Sequence, residues 1–184
     1  GQSIVLLTSV AMFMRNLVIV AIFAFPAFTD ALWPLAAMGV FAACVAWLRR
    51  GKARPPKKLD LTSPLSARRV LAFGGLFVLI EIAGKLAERH LGNLGFLALS
   101  LVGGLASSSS TAATAAIMTA RGQLKPEIAG VAVVLCSISS SLIDLPLVYQ
   151  QTRNRAMIKS LIFFSAIMVL TGLAILAVTL YVKL

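Results

Sequence analysis

Apolar residues fill long stretches of this chain, and each stretch ends on a proline, an aromatic residue or a cluster of charges. A helix needs roughly 20 mostly apolar residues to cross about 30 Å of hydrocarbon. Six stretches have about that length: 4–25, 31–48, 70–87, 94–119, 126–148 and 160–182. Pro26 closes the first, and the turn Phe25–Asp30 leads to the second, with Trp33 placed as an interfacial anchor. Trp47 and Arg49-Arg50 end the second. Pro126-Glu127 opens the fifth, with proline in the first turn and an acid at the positive end of the helix dipole. The pattern predicts an all-α fold, a polytopic transmembrane helical bundle of about six spans.

One long polar connection interrupts the pattern. Residues 49–69 carry eight basic residues against Asp60 alone, and Pro55-Pro56 keeps the segment extended. The chain therefore divides into two spans over 1–48, a basic cytoplasmic linker over 49–69, and four spans over 70–184. Strict alternation places eleven Lys and Arg on the linker's side and five on the other, as the positive-inside rule requires. The turn 149–159 is basic for an outside connection, and a re-entrant segment would change the parity. The linker suits anionic lipid head groups. It lacks the interleaved aromatics of a single-strand nucleic-acid binder, so nucleic acid is not an expected partner.

Composition agrees with a lipid solvent. Of 184 residues, 59% are hydrophobic and only 12% charged, with mean hydropathy +0.95. Average soluble domains are about 45–50% apolar and about 25% charged. Cys44 and Cys136 fall in apolar runs without metal spacing, and read as small buried residues. His90 has no ligand partner nearby and reads as a surface residue. No nucleophile elbow, P-loop or dinucleotide fingerprint occurs, and no base is placed to activate a serine. The expectation is a non-enzyme without cofactor.

The unusual feature is GGLASSSSTAATAA at 103–116. Ser107, Ser108, Ser109, Ser110 and Thr111 are consecutive, and Thr114 follows. Small and hydroxyl residues favour close helix packing in membranes, and their hydroxyls can bond back to helix carbonyls. Yet five consecutive hydroxyls point all around a helix. An interruption at 103–110, lining a polar path, explains that better, because irregular backbone at membrane depth is tolerated only in protein or facing water. In the fifth span, Ser137, Ser140, Ser141 and Asp144 share a face by three- and four-residue spacing. Asp144 is the possible metal ligand. Hydroxyls and one carboxylate suit a cation, whereas half-helix N-termini at a break suit an anion, and the sequence leaves both open. Among intramembrane charges, Glu81 and Lys85 are spaced as an internal pair, and Arg15 beside Asn16 is placed to meet Asp144.

An internal repeat links the first and fifth spans. In 4–20 and 132–148, Val5, Leu7, Ser9, Leu17 and Val20 match Val133, Leu135, Ser137, Leu145 and Val148 at constant offset; Thr8 meets Cys136 and Asn16 meets Asp144. The chain opens without a charged n-region or cleavage site, so its start is not a signal peptide. The repeat makes it the expected C-terminal part of a larger protein, with the first copy's hydroxyl-rich helix before residue 1.

These segments resemble a family. GGLASSSSTAATAA followed by PEIAGVAVVLCSISSSLIDLPLV, with the opening IVLLTSVAMFMRNLVIVAIFAFPAF and the stretch SPLSARRVLAFGGLFVLIEIAGKLAERHLGNLG, resembles the uncharacterised C-terminal membrane domain of MgtC/SapB-type bacterial proteins. The resemblance implies a multi-pass protein of the bacterial inner membrane, with ion-linked physiology by analogy. The expected function is movement of a small ion or solute along a Ser/Thr-lined path between spans four and five. The alternative is a non-transporting scaffold or regulatory subunit. Expected partners are the bilayer, the solute, and a homo-oligomer or the missing upstream half.

Overall fold

The computed structural model describes the backbone of residues 2–48, 67–152 and 155–183, all of it helical or in short turns. The helices are α1 (Gln2–Phe23), α2 (Phe25–Leu48), α3 (Ala67–Ala120), α4 (Pro126–Thr152) and α5 (Arg155–Lys183). Five stretches are long and apolar enough to cross a membrane: Val5–Phe23, Phe25–Leu48, Arg89–Ala120, Pro126–Pro146 and Lys159–Val182. The linker, with its expected lipid contacts, lies almost wholly outside the described residues, as do some side chains of the span at 70–87.

α1 and α2 form an antiparallel pair that reverses at Ala24. Ala24 N–H donates to Val20 O, closing α1, and Ala24 O accepts from Ala27 and Phe28 N–H, opening α2. The expected turn 25–30 is therefore helical. Pro26 fits because its missing N–H falls in the first turn, where no helical partner exists. Asp30 is buried at 2% exposure instead of lying in a loop. It packs on α4, where a Cβ on Gly130 would lie 2.6 Å from Asp30 Cβ.

α3 departs from the six-rod expectation. Two residues inside it are not helical: Gly92 (φ 59°, ψ −150°) and Ser107 (φ −164°, ψ 107°). They divide it into limbs over 67–91, 93–106 and 108–120. The left-handed φ at Gly92 needs glycine. At Ser107 the chain folds back on itself. A Cβ on Gly103 would lie 2.6 Å from Thr111 Oγ1, although these residues stand one turn before and one turn after the break. Farther from the break the limbs are still side by side. A Cβ on Gly84 would meet both Phe96 (3.0 Å) and Met118 Sδ (3.4 Å), two residues that a straight helix would hold roughly 33 Å apart. The second and third limbs thus form a re-entrant hairpin with Ser107 at its tip. Each limb is about 20 Å long, too short for about 30 Å of hydrocarbon.

The hairpin corrects the topology. Asp30 meets Gly130, so the α1–α2 turn and the start of α4 share a side. Glu81 accepts from Arg121 Nη1 at 2.6 Å and pairs with Lys85 at 3.1 Å. The end of the first limb and the 121–125 turn therefore lie together on that same side, opposite the linker. Alternation had placed 121–125 with the linker, because 94–119 reads as one crossing by length and hydropathy alone. Lys and Arg still divide eleven to five, but the basic 149–159 connection now joins the linker's side.

α4 is the central element. Of its span, 61% is buried, against 28–39% for the others. Cys136 and Ala132 are fully buried on it, and the hairpin approaches so closely that a Cβ on Gly104 would lie 2.6 Å from Cys136 Cα. α5 closes the bundle against α2, with Gly172 on Met38.

Three outcomes follow. Gly104→Ala drives a methyl into the α4 backbone and lowers stability by about 1–3 kcal/mol, read as a lower thermal midpoint in detergent. Gly74→Ala, where a Cβ meets nothing within 4 Å, is neutral or slightly stabilising. Single cysteines at His90 and Gln123 react with an impermeant thiol reagent from one side of the membrane, and a cysteine at Lys159 reacts from the other. Opposite-side labelling at His90 and Gln123 would refute the hairpin.

Candidate functional site

A chain reversal inside the membrane leaves the last carbonyls of one helix and the first N–H groups of the next without helical partners. The hydroxyl run meets part of this demand. Ser107 caps the third limb, its Oγ accepting from Ser110 N–H at 3.3 Å. Ser107 O accepts from Thr111 Oγ1 at 3.0 Å, and Ser110 O accepts from Thr114 Oγ1 at 2.9 Å. Cys136 Sγ lies 3.2 Å from Val133 O of its own helix and 3.6 Å from Ser108 O of the tip, with one proton between the two acceptors. The expected interruption at 103–110 thus falls at Ser107, whose own hydroxyl serves the broken backbone, while Thr111 and Thr114 make the same back-bond to their own helix that Thr171 and Thr179 make in the unbroken α5.

The tip reaches the middle of the bundle. Next to Cys136, Ser137 Oγ donates to Val133 O at 2.7 Å and accepts from Asn16 Nδ2 of α1 at 2.9 Å. The Ser137 proton is already committed to the carbonyl, so the amide must face it nitrogen-first. That fixes Asn16 Oδ1 as the outward acceptor, and it is buried without a partner. Ser110 Oγ is likewise buried without one. Both residues are 0% exposed. A buried polar atom left unpaired costs about 1–3 kcal/mol, so each of these atoms calls for a polar partner.

The other expected residues divide into three groups. Ser108, Ser109, Thr111, Thr114 and Ser141 are buried, so they pack inside protein and do not face open water. Ser141 Oγ donates to Ile138 O at 2.8 Å. Ser107, Ser140 and Asp144 are half-buried. Asp144 stands about 10 Å along α4 from Ser137, clear of the tip. Among the described residues no ion pair joins it to Arg15, which is exposed on α1. Glu81 and Lys85 do pair, and Arg121 is the third member that spacing could not reveal. No group of three or more His, Cys, Asp or Glu suited to a metal ion occurs among the described residues. An apolar cavity of about 530 Å³ opens between α1 and α2, beside Phe13, Leu17, Leu35 and Gly39. Its walls suit hydrocarbon and give it no part in a polar path.

Sequence reasoning undervalued two residues. Asn16 entered as a neighbour of Arg15 and as the repeat counterpart of Asp144, yet it carries the cross-bundle bond. Cys136 read as filler, yet the hairpin packs directly on its backbone. The repeat supplied the one signal for Asn16, by aligning it with Asp144.

No curated relative and no solved structure matches the chain. One family model matches residues 2–152, taking in α1 to α4 and so the hairpin, Asn16 and Ser137 together. The chain belongs to that family, described as Domain of unknown function (DUF4010).

Proposed function

We propose that the protein moves a small ion or polar solute across the membrane, with the hairpin tip as the central binding point. The observation that carries this reading is the pair of buried, unpartnered atoms, Asn16 Oδ1 and Ser110 Oγ, in a bundle whose helix is broken at Ser107. Discontinuous helices commonly form midplane sites in transporters, because helix ends supply partial charges of both signs. Here the second limb ends in carbonyls and the third begins with amides. A partly dehydrated ion or a small polar molecule finds both. Ser140 and Asp144, half-buried farther along α4, form the approach from the linker's side. The MgtC/SapB resemblance and the bacterial inner membrane belong to the same reading, as does attraction of the 49–69 linker to anionic head groups.

The rival is a scaffold in which every hydroxyl serves packing; the back-bonded Thr111, Thr114 and Ser141 favour it. Purified protein in liposomes, tested with sodium, potassium, magnesium, chloride and phosphate, separates the two. Flux of at least one species is expected. The Asn16→Leu variant removes the acceptor and the bond to Ser137, changes stability by no more than about 1 kcal/mol because the lost bond and the lost unpaired acceptor offset, and lowers that flux at least about tenfold through the lost site. A folded protein silent to every species supports the scaffold.

A cysteine scan of 105–114 and 137–144 gives an independent outcome. Water-soluble thiol reagents label positions 140 and 144, and label the tip only when solute is cycling. Complete protection throughout would refute the path.

A further inference from the structure

α1 and α4 carry the repeat, but they are not equally covered. Ser9 Oγ donates to Val5 O at 3.2 Å, just as Ser137 Oγ donates to Val133 O at 2.7 Å. The aligned serines thus make the same back-bond to aligned carbonyls. Phe13 and Ser141, also aligned, are both buried. The widest differences fall on one stripe. On α4, Cys136 is 0% exposed and Ser139 6%. Their counterparts on α1, Thr8 and Ala11, are exposed, and so is Arg15, one turn beyond on the same side.

On α4 the stripe is where the hairpin docks. Gly104 packs on the Cys136 backbone, and Cys136 Sγ reaches Ser108 O. On α1 the same stripe faces outward at the centre of the Val5–Phe23 span. A lipid-facing arginine at that depth costs at least about 2.5–3.5 kcal/mol, and such residues normally meet protein or water. A second copy of this chain is a poor occupant, because its own hairpin is already seated on its own α4.

We infer that the Thr8–Ala11 face of α1 is the docking surface for a second re-entrant helical hairpin, built like 93–120 and supplied by the same polypeptide directly before α1. The order follows from the repeat, since the described hairpin directly precedes α4. In this arrangement two hairpins enter the bundle, one on each repeat helix. By the same register the second tip meets Thr8, the counterpart of Cys136.

The test uses the protein as the cell makes it, with a photoreactive benzophenone side chain at Ala11 and a control at the lipid-facing Val178 of α5 (62% exposed). Ala11 is expected to cross-link within one polypeptide to a small-residue and hydroxyl-rich segment before α1, while Val178 captures lipid. Lipid adducts at Ala11, cross-links between copies, or capture of a different protein would each overturn the proposal. If the bulky group prevents folding, Ala11→Cys in a Cys44→Ser background replaces it. The introduced thiol is then expected to react with a lipid-dissolved maleimide at least about tenfold more slowly than one introduced by Val178→Cys. Equal rates would refute the second hairpin.

Discussion

The structure depends on a single demand: peptide groups exposed by a chain reversal within hydrocarbon must find partners in the protein. Each unsatisfied group in lipid costs several kcal/mol, so a reversal at Ser107 is affordable only inside the bundle. The sequence around it answers locally. A serine at the break caps the new helix, and a cysteine from α4 packs against the tip. Glycine at 104 lets the hairpin press against α4 closely enough for that cysteine to reach. The hydroxyls of Thr111 and Thr114 are satisfied within their own helix. Only the atoms left over, on Asn16 and Ser110, speak for a ligand.

Much of the fold was legible in the chain, and the limits were physical. Hydropathy marks where a helix is apolar, and it located α1, α2, α4 and α5 within a few residues, apart from the helical first turn of α2. It cannot distinguish a crossing from a hairpin, since 94–119 has the length of one and the shape of the other. The hint lay elsewhere, in the basic 149–159 connection that strict alternation put on the wrong side. The break itself was readable because consecutive hydroxyls have no one-sided packing role. The Glu81–Lys85 pair was readable from helical spacing, but Arg121 was not, because its approach depends on the fold of α3. Asn16 was hidden for the same reason: its partner Ser137 lies on another helix, 121 positions away.

α4 explains why these parts cohere. It receives the hairpin on Cys136, α1 on Ser137 and α2 on Gly130. Small side chains at each place allow close contact, which in lipid must come from packing and hydrogen bonds, since hydrocarbon offers no hydrophobic drive between helices. The family match spans α1 to the end of α4, so the unit it describes contains this whole arrangement.

The shortness of the hairpin limbs also bears on biogenesis. Residues 93–120 leave the ribosome before α4 exists, and neither limb is long enough to be held by the bilayer alone. Their apolar surface must wait at the membrane boundary until α4 is threaded and offers Cys136 as a seat. Maturation of this protein therefore runs against the order of translation: the later helix installs the earlier one.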